Sequence, residues 1–174
     1  IDAVVAAVRV PVTLKMRLGW DDTCLNATDL SRRARDAGVR MLTVHGRTRA
    51  QFYKGRADWD RIADVANIPD RPPLVANGDV VDAASARSAL ARSGADAVMV
   101  GRGAQGAPWV LAEIASKLHG APAPQIPEGE DLADLVESFG GADMMDVIRV
   151  GGNNARGATQ GAPAGQGASK EISK

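Results

Sequence analysis

Four short segments of this chain carry side chains able to do chemistry, and each closes an apolar run. They are Lys15 and Arg17 in VTLKMRL, the polar loop that opens at His45, Asn77-Gly78-Asp79, and Gly101-Arg102-Gly103. The densest is the second. Met41-Leu42-Thr43-Val44 breaks at His45-Gly46 into a loop holding Arg47, Thr48, Arg49, Gln51, Tyr53 and Lys54. A buried strand that releases a polar loop at its carboxyl end is how an α/β protein builds a site. The plainer alternative is a solvated basic connection after a core strand.

Gly101-Arg102-Gly103-Ala104-Gln105-Gly106 follows a second apolar run and precedes a helical pattern. Glycines let backbone N–H groups approach an anion, and an arginine grips phosphate with a bidentate fork. The pattern matches G-x-G-x-x-G, yet no acidic residue stands some twenty positions on at the tip of a following strand, so a monophosphate suits it better than a dinucleotide. A glycine turn that merely reverses the chain is the alternative. Asn-Gly is itself a common turn dipeptide, but adjacent loops of a barrel can share one phosphate. Lys15 at a strand end can stabilise negative charge on a cofactor ring, or simply be solvated. His45 can serve a site or satisfy a neighbouring carbonyl. Cys24 lies beside Asp21 and Asp22, and carboxylates there disfavour a reactive thiolate.

The elements that position these residues repeat. Asp2–Val8 predicts a helix end closed by Val10-Pro11, and Val12–Leu18 a strand that puts Lys15 and Arg17 on one side by its period of two. Gly19–Asn26 reads as a loop. A helix is expected over Ala27–Ala37 with Gly38 as its stop, then the strand 41–44 and a helix over Ala57–Ala66. Leu74-Val75-Ala76 reads as a strand, Asp82–Arg92 as a helix capped by Asp82 and stopped by Gly94, Ala97–Val100 as a strand, and Pro108–Leu118 as the last helix. This rhythm of strand, loop and helix, at about thirty residues per unit, is that of parallel βαβ units. The fold class expected is therefore α/β: the C-terminal half, about four units, of a TIM (β/α)8 barrel. Its loaded loops sit at the carboxyl ends of the strands, the active face of such barrels. A complete barrel needs about 250 residues; the other half is expected before Ile1. Residues 1–118 are read as the partial barrel, 119–139 as a linker with a short helix, and 140–174 as a disordered Gly/Ala-rich tail.

The 174 residues suffice for one core, and 21 basic against 21 acidic residues leave no bulk charge to mark a nucleic-acid binder. Any RNA contact has to come from a local patch. One cysteine and two histidines argue against a disulfide or a metal site. No apolar run reaches membrane-spanning length, and the pattern reads as cytoplasmic. Four parallel strands alone leave two edges open, which predicts a self-associating product.

As an ordered set, PVTLKMR, TVHGRT, ANGD and VGRG resemble the last four strand motifs of the flavin-dependent tRNA-dihydrouridine synthases, bacterial B-type, over about Ile1–Leu118. The histidine loop with Gln51-Phe52-Tyr53-Lys54-Gly55 is the most specific part. The resemblance implies a TIM barrel binding FMN, with NADPH as electron donor, which reduces a uridine C5–C6 double bond in tRNA. It implies that Lys15 contacts the flavin ring and that His45 lies beside the flavin and the base. Asn77, Gly78 and Asp79 would line the ribityl-phosphate, Gly101 and Arg102 would grip the phosphate, and Arg47, Thr48, Gln51, Tyr53 and Lys54 would face the RNA. The family's proton-donor cysteine belongs to an earlier strand absent from this chain, and Cys24 does not match it. The chain alone is therefore expected to be inactive, with the missing N-terminal half-barrel as the partner that would complete it. Another FMN barrel acting on a small molecule, or a non-catalytic RNA- or phosphate-binding fragment, are the rival readings.

Overall fold

The computed structural model describes residues 1–124 and 146–149. Helix α1 (Asp2–Ala7) leads into strand β1 (Thr13–Arg17), then a small antiparallel pair, β2 (Gly19–Asp21) and β3 (Cys24–Leu25). Helix α2 (Ala27–Asp36), β4 (Met41–His45), α3 (Ala63–Ala66), β5 (Leu74–Asn77), α4 (Ala83–Ser93), β6 (Ala97–Val100) and α5 (Val110–His119) follow, and then β7 (Asp146–Arg149). β1, β4, β5 and β6 pair parallel in chain order, which is the expected partial α/β barrel sheet.

Period-two alternation sorts the strand residues onto two faces. Leu42, Val44, Leu74, Ala76, Val98 and Val100 join the helices in the main core, with Ile62, Val65 and Ile114 fully buried there. Burying a side chain of that size contributes about 1.5–3 kcal/mol. The opposite face holds Val75, Ala97 and Met99 with Met41 packed against them. Helix α4 packs through small residues: Ala83, Ala86, Ala89 and Ser93 are its buried positions. That helix starts at a capping box, in which the Ser85 N–H donates to the Asp82 carboxylate at 2.7 Å, and ends at Gly94 in the left-handed region.

Three elements differ from expectation. The loop over 19–26 contains the β2–β3 hairpin, whose two- and three-residue strands are too short for a periodicity to register. The helix expected from Ala57 starts as a 3-10 turn at Asp60 and has one α-turn, Ala63–Ala66. Its first residues are committed elsewhere: the Ala57 N–H donates to the Asp79 carboxylate at 2.7 Å and the Asp58 N–H to the Gly46 carbonyl at 2.6 Å. Within the tail expected to be disordered, Asp146–Arg149 forms β7, antiparallel to β6. Its Val147-Ile148 pair is β-branched and favours extended backbone. The rest of that tail, and most of the linker over 119–139, lie outside the described residues. β7 covers one open edge of the parallel sheet; on the far side β1 stands last in the order.

Candidate functional site

The parallel register lines up Arg17, His45, Asn77 and Met99, one residue from each strand, near the carboxyl end of the sheet. All four alternate away from the helix-covered core, so they share the face that carries Lys15, two residues earlier on β1. Lys15 is exposed, whereas His45 and Asn77 are buried. The Asn77 amide donates to the Met99 carbonyl at 2.9 Å, tying β5 to β6.

His45 is held from two sides. Gly78 lies against one, with φ of 112°, and a Cβ there would come within 2.7 Å of His45 Cδ2 and 2.8 Å of the Ala57 methyl. Only glycine meets both the conformation and the space. The Gly78 carbonyl accepts from Trp59 Nε1 at 2.9 Å, which fixes this turn against the core. On the other side Arg47 Nη1 lies 3.3 Å from His45 Nε2. A guanidinium only donates, so Nε2 accepts and the ring proton sits on Nδ1. Burial lowers the imidazole to about pKa 4, with help from Arg17, Lys15 and Arg47. His45 is therefore neutral at physiological pH, a ring with one fixed tautomer.

Arg47, expected on the RNA-facing rim, is only 2% exposed. It also donates to the Asp79 carboxylate at 2.8 Å, to the Gly55 carbonyl at 2.8 Å and to the Lys54 carbonyl at 3.3 Å. Burial raises the Asp79 carboxyl, but the Ala57 N–H, Arg47 and the field of Arg102 outweigh it and hold it below the usual range. Thr48 is likewise buried. Its N–H donates to the Gln51 amide oxygen at 2.7 Å, and the Gln51 N–H donates back to the Thr48 hydroxyl at 3.2 Å. Arg47, Thr48 and Gln51 thus lock the loop, while Tyr53 and Lys54 stand exposed on it.

After β6, Gly101 has open space beside it, and the exposed Arg102 lays its guanidinium 4.5 Å from the centre of the Tyr53 ring. The structure thereby brings the phosphate candidate and the rim tyrosine together. Arg17, which the sequence sets beside Lys15 without assigning it a role, braces the site. Its guanidinium donates to the carbonyls of Thr48 at 3.0 Å and Phe52 at 2.8 Å, bracing the loop from β1. Its signal was its place two residues after Lys15. Among the described residues no cluster of side chains suits a metal ion, and no helix is long and apolar enough to cross a membrane.

The arrangement defines a class: a parallel α/β sheet with cationic side chains gathered at the carboxyl ends of its strands. Comparison with known proteins narrows it. Residues 1–144 match the model of the family described as Dihydrouridine synthase (Dus). The chain is 56% identical over 151 residues to a probable tRNA-dihydrouridine synthase of Rhodobacter capsulatus, covering 83% of this chain and 46% of the relative. A probable tRNA-dihydrouridine synthase of Rickettsia prowazekii is 51% identical, covering 75% of this chain and 41% of its own length. The tRNA-dihydrouridine synthase B of Vibrio cholerae is 47% identical, covering 74% and 40%. This chain belongs to the dihydrouridine synthase family, and it spans less than half the length of these relatives.

Proposed function

We propose that this chain is the part of a tRNA-dihydrouridine synthase that holds the phosphate and one flank of an FMN ring beside the target uridine. The observation that carries this reading is the neutral, single-tautomer His45 fixed between Gly78 and Arg47 in a family whose name states the reaction. The residues fit FMN. Lys15, Arg17 and Arg47 all act on His45, so the field where the strands end favours an anion, and Arg102 with the open Gly101 suits a phosphate. Lys15 would stabilise negative charge on the ring, Asn77, Gly78 and Asp79 would line the ribityl chain, and His45 Nδ1–H would offer a hydrogen bond to flavin or base. When bound, FMN supplies hydride transfer, with NADPH as the source of electrons. Tyr53 and Lys54 would meet the RNA, with Arg47, Thr48 and Gln51 keeping their loop in shape. The expected setting is the cytoplasm, where tRNA is the substrate.

A chimera tests this. The N-terminal portion of the Rhodobacter capsulatus relative, joined to this chain, is produced in bacteria lacking their own dihydrouridine synthases. Dihydrouridine reappears in tRNA if the reading is right, and Lys15→Ala or Arg102→Ala reduces it. A chimera that folds and carries FMN yet leaves tRNA unmodified refutes it.

A further inference from the structure

The loop surface beside the site carries three large exposed rings. Trp20 is 64% exposed, Phe52 55% and Tyr53 49%. Guanidinium groups alternate with them. Arg49 lies 6.0 Å from the Trp20 ring centre and 5.8 Å from that of Phe52. Phe52 and Tyr53 meet edge to face at 4.6 Å, and the Arg102 guanidinium lies 4.5 Å from the Tyr53 ring centre. Trp20, Arg49, Phe52, Tyr53 and Arg102 therefore form one chain of contacts across three segments, which follow β1, β4 and β6.

This chain of contacts is built, not incidental. The Arg49 N–H donates to the Gly19 carbonyl at 2.8 Å and the Ala50 N–H to the Trp20 carbonyl at 2.7 Å, so backbone bonds join hairpin and loop. Phe52 sits at φ of 56°, a conformation unfavourable for a bulky residue, with its ring turned outward. Strain that presents an apolar ring to water gains nothing from burial within the chain, and such strain collects at ligand sites. Of the hairpin's carboxylates, Asp22 pairs with Arg61 at 2.8 Å, and Asp21, which keeps its charge, is turned to the Thr23 hydroxyl and the Cys24 N–H. Arg49, Lys54, Arg56 and Arg102 are all exposed.

We propose that Trp20, Arg49 and Phe52 form a stacking platform for unpaired nucleotides of the RNA strand that carries the target uridine. This rests on the function proposed above and adds a binding surface to it. Bases stack on aromatic rings and guanidinium planes whatever their identity, and the interleaved cations track the phosphates. A protein partner would also cover Trp and Phe, but cations set between the rings, beside carboxylates turned to their own neighbours, favour a polyanion.

The test measures binding of a labelled oligouridylate to this chain by fluorescence anisotropy, with FMN binding followed separately by flavin fluorescence. Trp20→Leu and Phe52→Leu are expected to weaken the oligouridylate by about ten- to a hundred-fold, the range of lost base stacking. Trp20→Tyr, which keeps a stacking face, is expected to stay within about threefold on the same grounds. FMN binding is unchanged in all three. Equal oligouridylate binding by wild type and Trp20→Leu overturns the platform, as does a duplex bound as tightly as the single strand. So does a wild type that ignores RNA but self-associates through Trp20. If FMN does not bind while oligouridylate binding depends on Trp20, the flavin reading fails and the platform stands.

Discussion

Acid should weaken this fold through His45, in a pH window that isolates it. The imidazole titrates near 4 in the folded chain because burial and three cations oppose its charge, against about 6.5 when unfolded. As pH falls below 6.5 the unfolded state takes up the proton first. The contribution is thus full above pH 6.5 and is lost progressively down to about pH 4. At pH 5 the linkage amounts to at most about 2 kcal/mol, a large share of what a small domain commands. Asp21, Asp60, Asp79 and Asp82 are all held below the usual carboxylate range, so their contributions are lost only below the ordinary aspartate value of about 3.9 and do not enter between pH 7 and 5. Urea unfolding at pH 7 and pH 5 is the assay, on wild type and His45→Gln. Wild type is expected to lose about 1–2 kcal/mol more than the variant over that interval. Identical pH dependence of the two would refute the claim that His45 is buried and neutral.

Gly78→Ala places a methyl on the His45 ring at a positive φ. It is expected to cost about 2–4 kcal/mol, combining backbone strain with overpacking, read by thermal or urea melts. Arg47→Gln leaves Asp79 partly buried without its cation, at a cost of about 3 kcal/mol, the low end for such pairs because Asp79 still reaches water. The same variant raises the His45 pKa, visible by NMR titration of the ring, since one opposing cation goes and the carboxylate stays. Val4 and Val10, which precede the last strand in the sheet order, β1, are 54% and 69% exposed. Wild type is expected to self-associate in sedimentation runs, and Val10→Lys to reduce the association.

Strands and helices were legible because each is punctuated: Pro11, Gly38, Asp82 and Gly94 mark the boundaries that the structure uses. The order β1-β4-β5-β6 followed from the βαβ rhythm, and the register then put Arg17, His45 and Asn77 in one row. What could not be read was which polar group in HGRTRAQFYK turns inward. Arg47 and Arg49 are alike in sequence, and Arg47 is buried because Asp79, 32 residues later, meets it. Nor does a sequence reveal that Trp20 and Phe52 flank one guanidinium, since backbone bonds between two loops bring them together. The short helix at 60–66 had the same origin: Ala57 and Asp58 spend their N–H groups on the site.

The central claim is that the strand ends of this chain form the phosphate and ring-flank side of a flavin site. The most direct measurement is the visible absorption spectrum of the purified chain after FMN is added and the excess removed. Retained flavin bands in the wild type, diminished in Lys15→Ala and Arg102→Ala, are the expected result. A colourless wild-type protein, or equal retention by all three, would contradict the assignment of Lys15, His45, Asn77 and Arg102 as a flavin-binding unit.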